Sequence, residues 1–81
     1  GQGEAMVANR FPHVRATVFY GEPFSGESVI SLSREHNDAN VLSIGARFIT
    51  TESAIDAVKR WLSLEFSMEE RHVRRLKKID I

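Results

Sequence analysis

Arg34-Glu35-His36-Asn37-Asp38-Ala39-Asn40-Val41-Leu42-Ser43-Ile44-Gly45-Ala46-Arg47 is the stretch on which the fold turns. Its first half holds a histidine, two asparagines and acids; its second half is a short apolar run closed by a glycine and an arginine. Arg34-Glu35-His36 suits the last turn of a helix and Asn37 a left-handed cap, after which Val41–Ile44 reads as a short buried strand. Polar groups gathered at the end of a buried strand in an α/β layer usually point into a ligand crevice. We therefore expect this stretch to line a site, with Gly1-Gln2-Gly3-Glu4 and Arg71-His72-Val73-Arg74-Arg75 as its partners.

Working outward, Glu27–Glu35 fits a short amphipathic helix or an alternating strand through Val29, Ile30 and Leu32, and its polar last turn favours the helix. Val14–Tyr20 is β-rich and bounded by Pro12 and Gly21, which predicts a strand, and Gly21–Gly26 is a loop with turn formers at both ends. Gly1-Gln2-Gly3 runs straight into Glu4–Arg10, a helix-forming segment that Pro12 stops. Downstream, Thr51 can cap a helix whose inner stripe is Ala54, Ile55, Val58, Trp61 and Leu62. Ser67-Met68-Glu69-Glu70 has the capping-box pattern and opens a last helix carrying Val73, Leu76 and Ile79. The alternation helix, strand, helix, strand, helix, helix predicts a layered α/β domain with parallel strands. Two strands do not complete such a sheet, so further strands are expected from sequence outside these residues or from another chain.

With 81 residues, the chain is sized for one domain and is marginal for a self-sufficient core. Lysines and arginines balance aspartates and glutamates, which makes no case for nucleic acid or membrane from the molecule as a whole. Positive charge is nonetheless concentrated in Arg71, Arg74, Arg75, Lys77 and Lys78. The absence of cysteine removes disulfides, thiolate metal sites and thiol nucleophiles, and is compatible with a reducing, cytoplasmic setting. No apolar run reaches membrane-spanning length, and the start at Gly1, inside a loop-to-helix junction, suggests a truncated chain.

Several side chains could carry chemistry. Glycines opening a helix expose backbone N–H groups to an anion or oxyanion. Glu4, just beyond them, either complements the helix dipole, the commoner role, or acts as a general base. His36, at a helix C-terminus, can serve as acid or base near neutral pH, although a dipole-compensating histidine beside an asparagine cap explains the same pair. Asp38 and Asn40 suit turn formers shaping the crossing into the strand. Arg71 and Arg75 lie four apart on one helix face, where, with no acid nearby, they repel unless they clamp an anion such as phosphate; a solvated basic face is the plainer alternative. Arg47, after the strand end, is a third candidate anion ligand. His13 and His72 have no acid or histidine partner at metal spacing, so no metal site is expected.

The run Ser33–Leu42 followed by Gly45-Ala46-Arg47 resembles the sugar-phosphate isomerases of the ribose-5-phosphate isomerase B and galactose-6-phosphate isomerase family. Gly1–Pro12 is similar to the family's glycine turn and following helix, and Glu70–Leu76 to its C-terminal motif, so three motifs in order cover nearly the whole chain. The resemblance implies a Rossmann-like three-layer α/β/α fold with a parallel sheet. Residues 1–81 would be a single partial domain, the C-terminal half of a subunit, with about two strands and four helices. It also implies a homodimer, or a dimer of dimers, with active sites at the subunit interface. The activity implied is aldose–ketose interconversion of a phosphorylated sugar through a cis-enediolate, most simply ribose 5-phosphate to ribulose 5-phosphate, without metal or organic cofactor. Glu4 would match the base of the family's glutamate subgroup, His36 the histidine that assists ring opening, and Asn37 the asparagine that steadies the enediolate. Arg47, Arg71 and Arg75 would match the phosphate ligands, and Gly1, Gln2 and Gly3 the anion-hole loop.

The departures are an absent Asp-His pair from the family's first strand and an absent start of the glycine turn. Residues 22–26 also replace a segment expected to be more regular. These residues alone are accordingly expected to be inactive and poorly folded. The alternatives are an isomerase of allose, galactose or erythrulose phosphate, or a non-catalytic fragment whose basic C-terminal helix binds a partner or nucleic acid.

Overall fold

A computed structural model of the chain describes residues 1–22 and 28–80. Most of the expected Gly21–Gly26 loop and the expected helix start at Glu27 lie outside the described residues. The elements are α1 (Gln2–Ala8), β1 (Ala16–Phe19), α2 (Val29–Glu35), β2 (Val41–Ile44), α3 (Thr51–Ser63) and α4 (Glu70–Ile79), the order anticipated. β1 and β2 pair in parallel, Ala16 opposite Val41 and Phe19 opposite Ile44. Because side chains alternate across a strand, Phe19, Leu42 and Ile44 share one face and pack with Ile30 of α2 and with Ala57 and Trp61 of α3. The other face meets α1, where the Ser43 hydroxyl donates to the Gly1 carbonyl at 2.7 Å. The result is three layers, a partial Rossmann-like α/β/α arrangement built on a two-stranded parallel sheet. Among the described residues no helix is long and apolar enough to cross a membrane.

Several local expectations shift. α1 starts over the glycines, at Gln2, instead of at Glu4. Asn37 is not the left-handed residue after α2; Asp38 is, with φ 46°, because its carboxylate and carbonyl both accept from Arg15 there. α3 is capped by Thr50, whose extended backbone aims its hydroxyl at the Ser53 N–H (3.1 Å), and Thr51 is the first helical residue. The Ser67 capping box does not form. Met68 turns at φ 64°, the Ser67 hydroxyl accepts from the Glu69 N–H instead, and the helix begins at Glu70. β2 is not fully buried, since Val41 is 36% exposed. A two-stranded sheet leaves each strand with an unpaired edge.

The inner stripe of α3 is also narrower than its spacing suggests. Ala57 and Trp61 are buried, but Ile55 is 51% and Leu62 66% exposed. One α2 side chain explains the choice. The Arg34 guanidinium lies 4.3 Å from the centre of the Trp61 ring and donates to the carbonyls of Ala39 (2.7 Å) and Leu64 (3.2 Å). It thereby fixes which face of α3 turns inward. Trp61→Ala is therefore expected to cost about 3–5 kcal/mol of folding free energy by denaturant titration, and Leu62→Ala less than about 0.5 kcal/mol. Equal losses at both positions would mean that the outer face of α3 is covered as well.

Candidate active site

At the carboxyl ends of the strands, two glycines let backbone approach backbone. A Cβ on Gly1 would sit 3.1 Å from the Ile44 carbonyl oxygen, and one on Gly45 2.5 Å from the Tyr20 ring. The start of α1 can therefore seat directly against the end of β2. Around this junction lies a cavity of about 830 Å³ lined by Gly1, Gln2, Glu4, Tyr20, Arg47 and Phe48, among others. The Tyr20 and Phe48 rings meet edge to face, 5.5 Å between centroids, and form its apolar wall. The Glu4 carboxylate is exposed and lies 3.0 Å from the Gly1 nitrogen. A hydrogen bond from its own backbone N–H is the first cause that holds its pKa below the usual carboxylate value. Glu4 is thus an ionised, accessible carboxylate at neutral pH. Gly3 faces away from this cavity, and a Cβ there would meet nothing within 4 Å.

The second cluster forms where α2 ends, at the amino ends of the strands. The Ser67 N–H donates to the Glu35 carbonyl at 3.1 Å, which ties the start of α4 to the last turn of α2. This brings the His36 ring, at the C-cap of α2, into a stack with His72 of α4, 4.2 Å between centroids and 21° between planes. Arg75 donates to the Arg71 carbonyl (3.2 Å) and to His72 Nδ1 (2.5 Å). Arg71 reaches the Glu69 carboxylate at 3.3 Å, so the expected absence of an acid beside the arginine pair does not hold. Asn37 is exposed on the rim of a depression of about 440 Å³ formed by residues 9–16 with Leu76, Ile79 and Asp80. Beneath it, Arg15 bonds Asp38 and Asp80, and the Asn40 amide accepts from the Arg15 N–H and donates to the His13 carbonyl. Asn40 is more than a turn former; it clamps the entries to both strands together.

The chain therefore brings Gly1, Gln2, Glu4 and Arg47 together, and separately His36, Arg71 and Arg75 with Asn37 close by. It does not bring the two groups together. They lie at opposite ends of β2, whose four residues at about 3.3 Å each separate them by roughly 13 Å. The expectation that Arg34–Arg47 lines one crevice is corrected accordingly: the stretch straddles the sheet and gives one end to each cluster.

His72 was missed as a site residue. It has both the acid and the histidine neighbour that its spacing was read to lack, with Nε2 2.8 Å from Glu69 Oε2 and the ring stacked on His36. The available signal was Glu69, His72 and Arg75 at successive three-residue steps on one helix. Burial first, then the positive charges of His36, Arg71 and Arg75, push the His72 pKa down against the opposing pull of Glu69. Among the described residues no group of three or more histidine or acidic side chains could hold a metal ion.

Residues 1–79 match the ribose/galactose isomerase family. The chain is 39% identical over 79 residues to ribose-5-phosphate isomerase B of Escherichia coli, covering 98% of this chain and 49% of that protein. It is 32% identical over 76 residues to the Mycobacterium tuberculosis protein of the same name, covering 94% of this chain and 44% of that one. Among solved structures, type B ribose 5-phosphate isomerase from Trypanosoma cruzi superposes with a TM-score of 0.86 at 38% identity, over 99% of this chain and 50% of that one. The Mycoplasma genitalium ribose-5-phosphate isomerase B, solved with bound ribulose-5-phosphate, gives 0.86 at 35% identity, over 99% and 49%. The chain thus spans about half the length of the relatives it matches. With the sequence match running through both clusters and the solved relatives sharing the layered fold, this chain belongs to the ribose/galactose isomerase family.

Proposed function

We propose that the protein carrying this sequence interconverts ribose 5-phosphate and ribulose 5-phosphate, and that residues 1–81 supply the C-terminal half of its subunit. The relative solved with ribulose-5-phosphate supports this substrate. The observation that carries the proposal is the division of the expected site residues between opposite ends of one sheet. One copy presents Glu4, Arg47 and the Gly1 and Gln2 amides at one end, and His36, Asn37, Arg71 and Arg75 at the other. Neither set is a complete isomerase. Each needs what the other has, so two copies placed head to tail across a twofold axis complete two sites at once. A homodimer, or a dimer of dimers, follows from that pairing.

In the composite site, His36 assists opening of the sugar ring. Glu4 then takes the proton from C2 of the open aldose, and the electron pair moves into a cis-enediolate whose negative charge falls on O1. The amides of Gly1 and Gln2 and the side chain of Asn37 hold that charge, and Arg47, Arg71 and Arg75 hold the phosphate. Returning the same proton to C1, while the hydroxyl proton on O2 passes to O1, gives the ketose. Nothing is oxidised overall and no atom is lost, so the reaction needs no organic cofactor. A general base contributes about 10²- to 10⁴-fold in such steps, and an ionised carboxylate beside backbone N–H groups suits the task.

Glu4→Gln should lower kcat by about 10²- to 10⁴-fold while leaving KM nearly unchanged; full turnover in this variant would remove Glu4 as the base. Because the Glu4 pKa is lowered, the base stays competent through neutral pH. Activity should fall only as pH drops into and below the ordinary carboxylate range, and an acid limb near neutral pH in the kcat profile would contradict this. The shared site has its own check. Glu4→Gln and Arg75→Ala proteins, each nearly inactive, should regain about a quarter of native activity when unfolded and refolded together, since random pairing leaves one intact site in each mixed dimer. Failure of the mixed dimers to regain activity would place both residues in the same half-site.

A further inference from the structure

His72 has no part in the proposed reaction, yet it is the polar side chain most deeply enclosed by that cluster, at 1% exposure. Its contacts are specific. An arginine guanidinium is protonated at any working pH and can only donate, so His72 Nδ1, 2.5 Å from Arg75 Nη2, must be the acceptor. The ring proton then sits on Nε2, which lies 2.8 Å from Glu69 Oε2, off the direction of a well-formed hydrogen bond. On its other side the ring stacks on His36. We propose that His72 is a positioning residue: one buried imidazole holds the Arg75 guanidinium through Nδ1 and backs the ring of His36.

This rests on the roles proposed for Arg75 and His36. Arg75 is anchored at two points, the Arg71 carbonyl through Nε and His72 through Nη2. Its guanidinium plane is thereby set while most of its donors remain for an oxyanion. A long, exposed arginine otherwise loses side-chain freedom whenever it captures a phosphate, and anchoring it beforehand removes that cost from binding. The depressed pKa of His72 agrees with this arrangement, because a neutral ring keeps its lone pair for Arg75 and adds no further positive charge beside His36. Phe66, its ring centroid 6.5 Å from that of His72, adds an apolar neighbour.

The test uses the full-length protein and reads KM and kcat for ribose 5-phosphate, inhibition by inorganic phosphate, and Tm. His72→Phe keeps a ring against His36 and loses the acceptor. It should raise KM and the phosphate inhibition constant about tenfold, the effect of one hydrogen bond to a charged group, with a smaller fall in kcat. His72→Gln restores an acceptor without an aromatic ring, so it should recover much of the phosphate inhibition while kcat falls further. An unchanged phosphate inhibition constant in His72→Phe, or losses that follow only the folded fraction, would overturn the proposal. Arg75→Ala separates the two readings. If it leaves phosphate inhibition unaltered, the phosphate role of Arg75 fails; if it weakens inhibition while His72→Phe does not, the role of His72 alone is lost. The wild-type protein gives an answer without substitution. Its imidazole nitrogen NMR spectrum should show His72 as the neutral Nε2–H tautomer at neutral pH, and an Nδ1–H or protonated ring would refute the contact.

Discussion

Parallel pairing of Ala16–Phe19 with Val41–Ile44 is the constraint from which the rest of this structure follows. Two parallel strands must be joined by a crossover that returns the chain to the starting edge of the sheet. Here α2 makes that return, so its C-terminal residues, His36 and Asn37, are delivered to the amino ends of the strands. The residues just after β2, Gly45 to Arg47, emerge at the carboxyl ends. Residues adjacent in sequence are thereby driven apart by the length of a strand. No side-chain rotation closes such a gap, which is why the proposed site calls for a second copy.

Each end of the sheet is held by a different kind of contact. At the carboxyl ends the fit is steric: Gly1 and Gly45 lack the Cβ atoms that would strike the Ile44 carbonyl and the Tyr20 ring, and Ser43 pins the Gly1 carbonyl from below. At the amino ends the fit is polar. Arg15 joins β1 to Asp38 before β2 and to Asp80 after α4, while Asn9 exchanges two hydrogen bonds with Ala16. Arg15 is mostly enclosed, its side chain 17% exposed, while Asp38 stays open to solvent and Asp80 is half-buried, so the guanidinium rather than the carboxylates is the shielded partner. The amino-end cluster stands on this network. α4 is positioned by Asp80 at one end and by the Ser67–Glu35 bond at the other, and the His36–His72 stack lies near the latter.

Much of this was legible in the residues. The order of six elements came from apolar spacing and from Pro12, Gly21 and Gly45 as boundaries, because those signals are local. The shifts at the helix starts were smaller and had local causes too: Thr50 and Thr51 are chemically equal caps, and only the backbone angle at Thr50 selects it. The α3 stripe failed for a different reason. Ala54, Ile55, Val58, Trp61 and Leu62 fit a helix face by period, but period cannot say which part of a wide apolar face meets the core. The Arg34 stack on Trp61 decided that, through a contact across more than twenty residues of chain. His72 was overlooked because spacing within α4 carries no information about His36, which reaches it from another helix.

By itself, then, the sequence determined the element order, the parallel α/β class, the family resemblance and the identity of the candidate groups, all of which rest on near neighbours or on motifs kept in order. The tertiary structure alone decided which of those groups face one another. Glu4 shares a cavity with Arg47, His36 shares a stack with His72, and the two sets lie at opposite ends of the sheet. The physical reason is that separation along a chain is converted to separation in space by the direction of each strand and its crossover, and a linear string of residues does not carry that direction until the strands have paired.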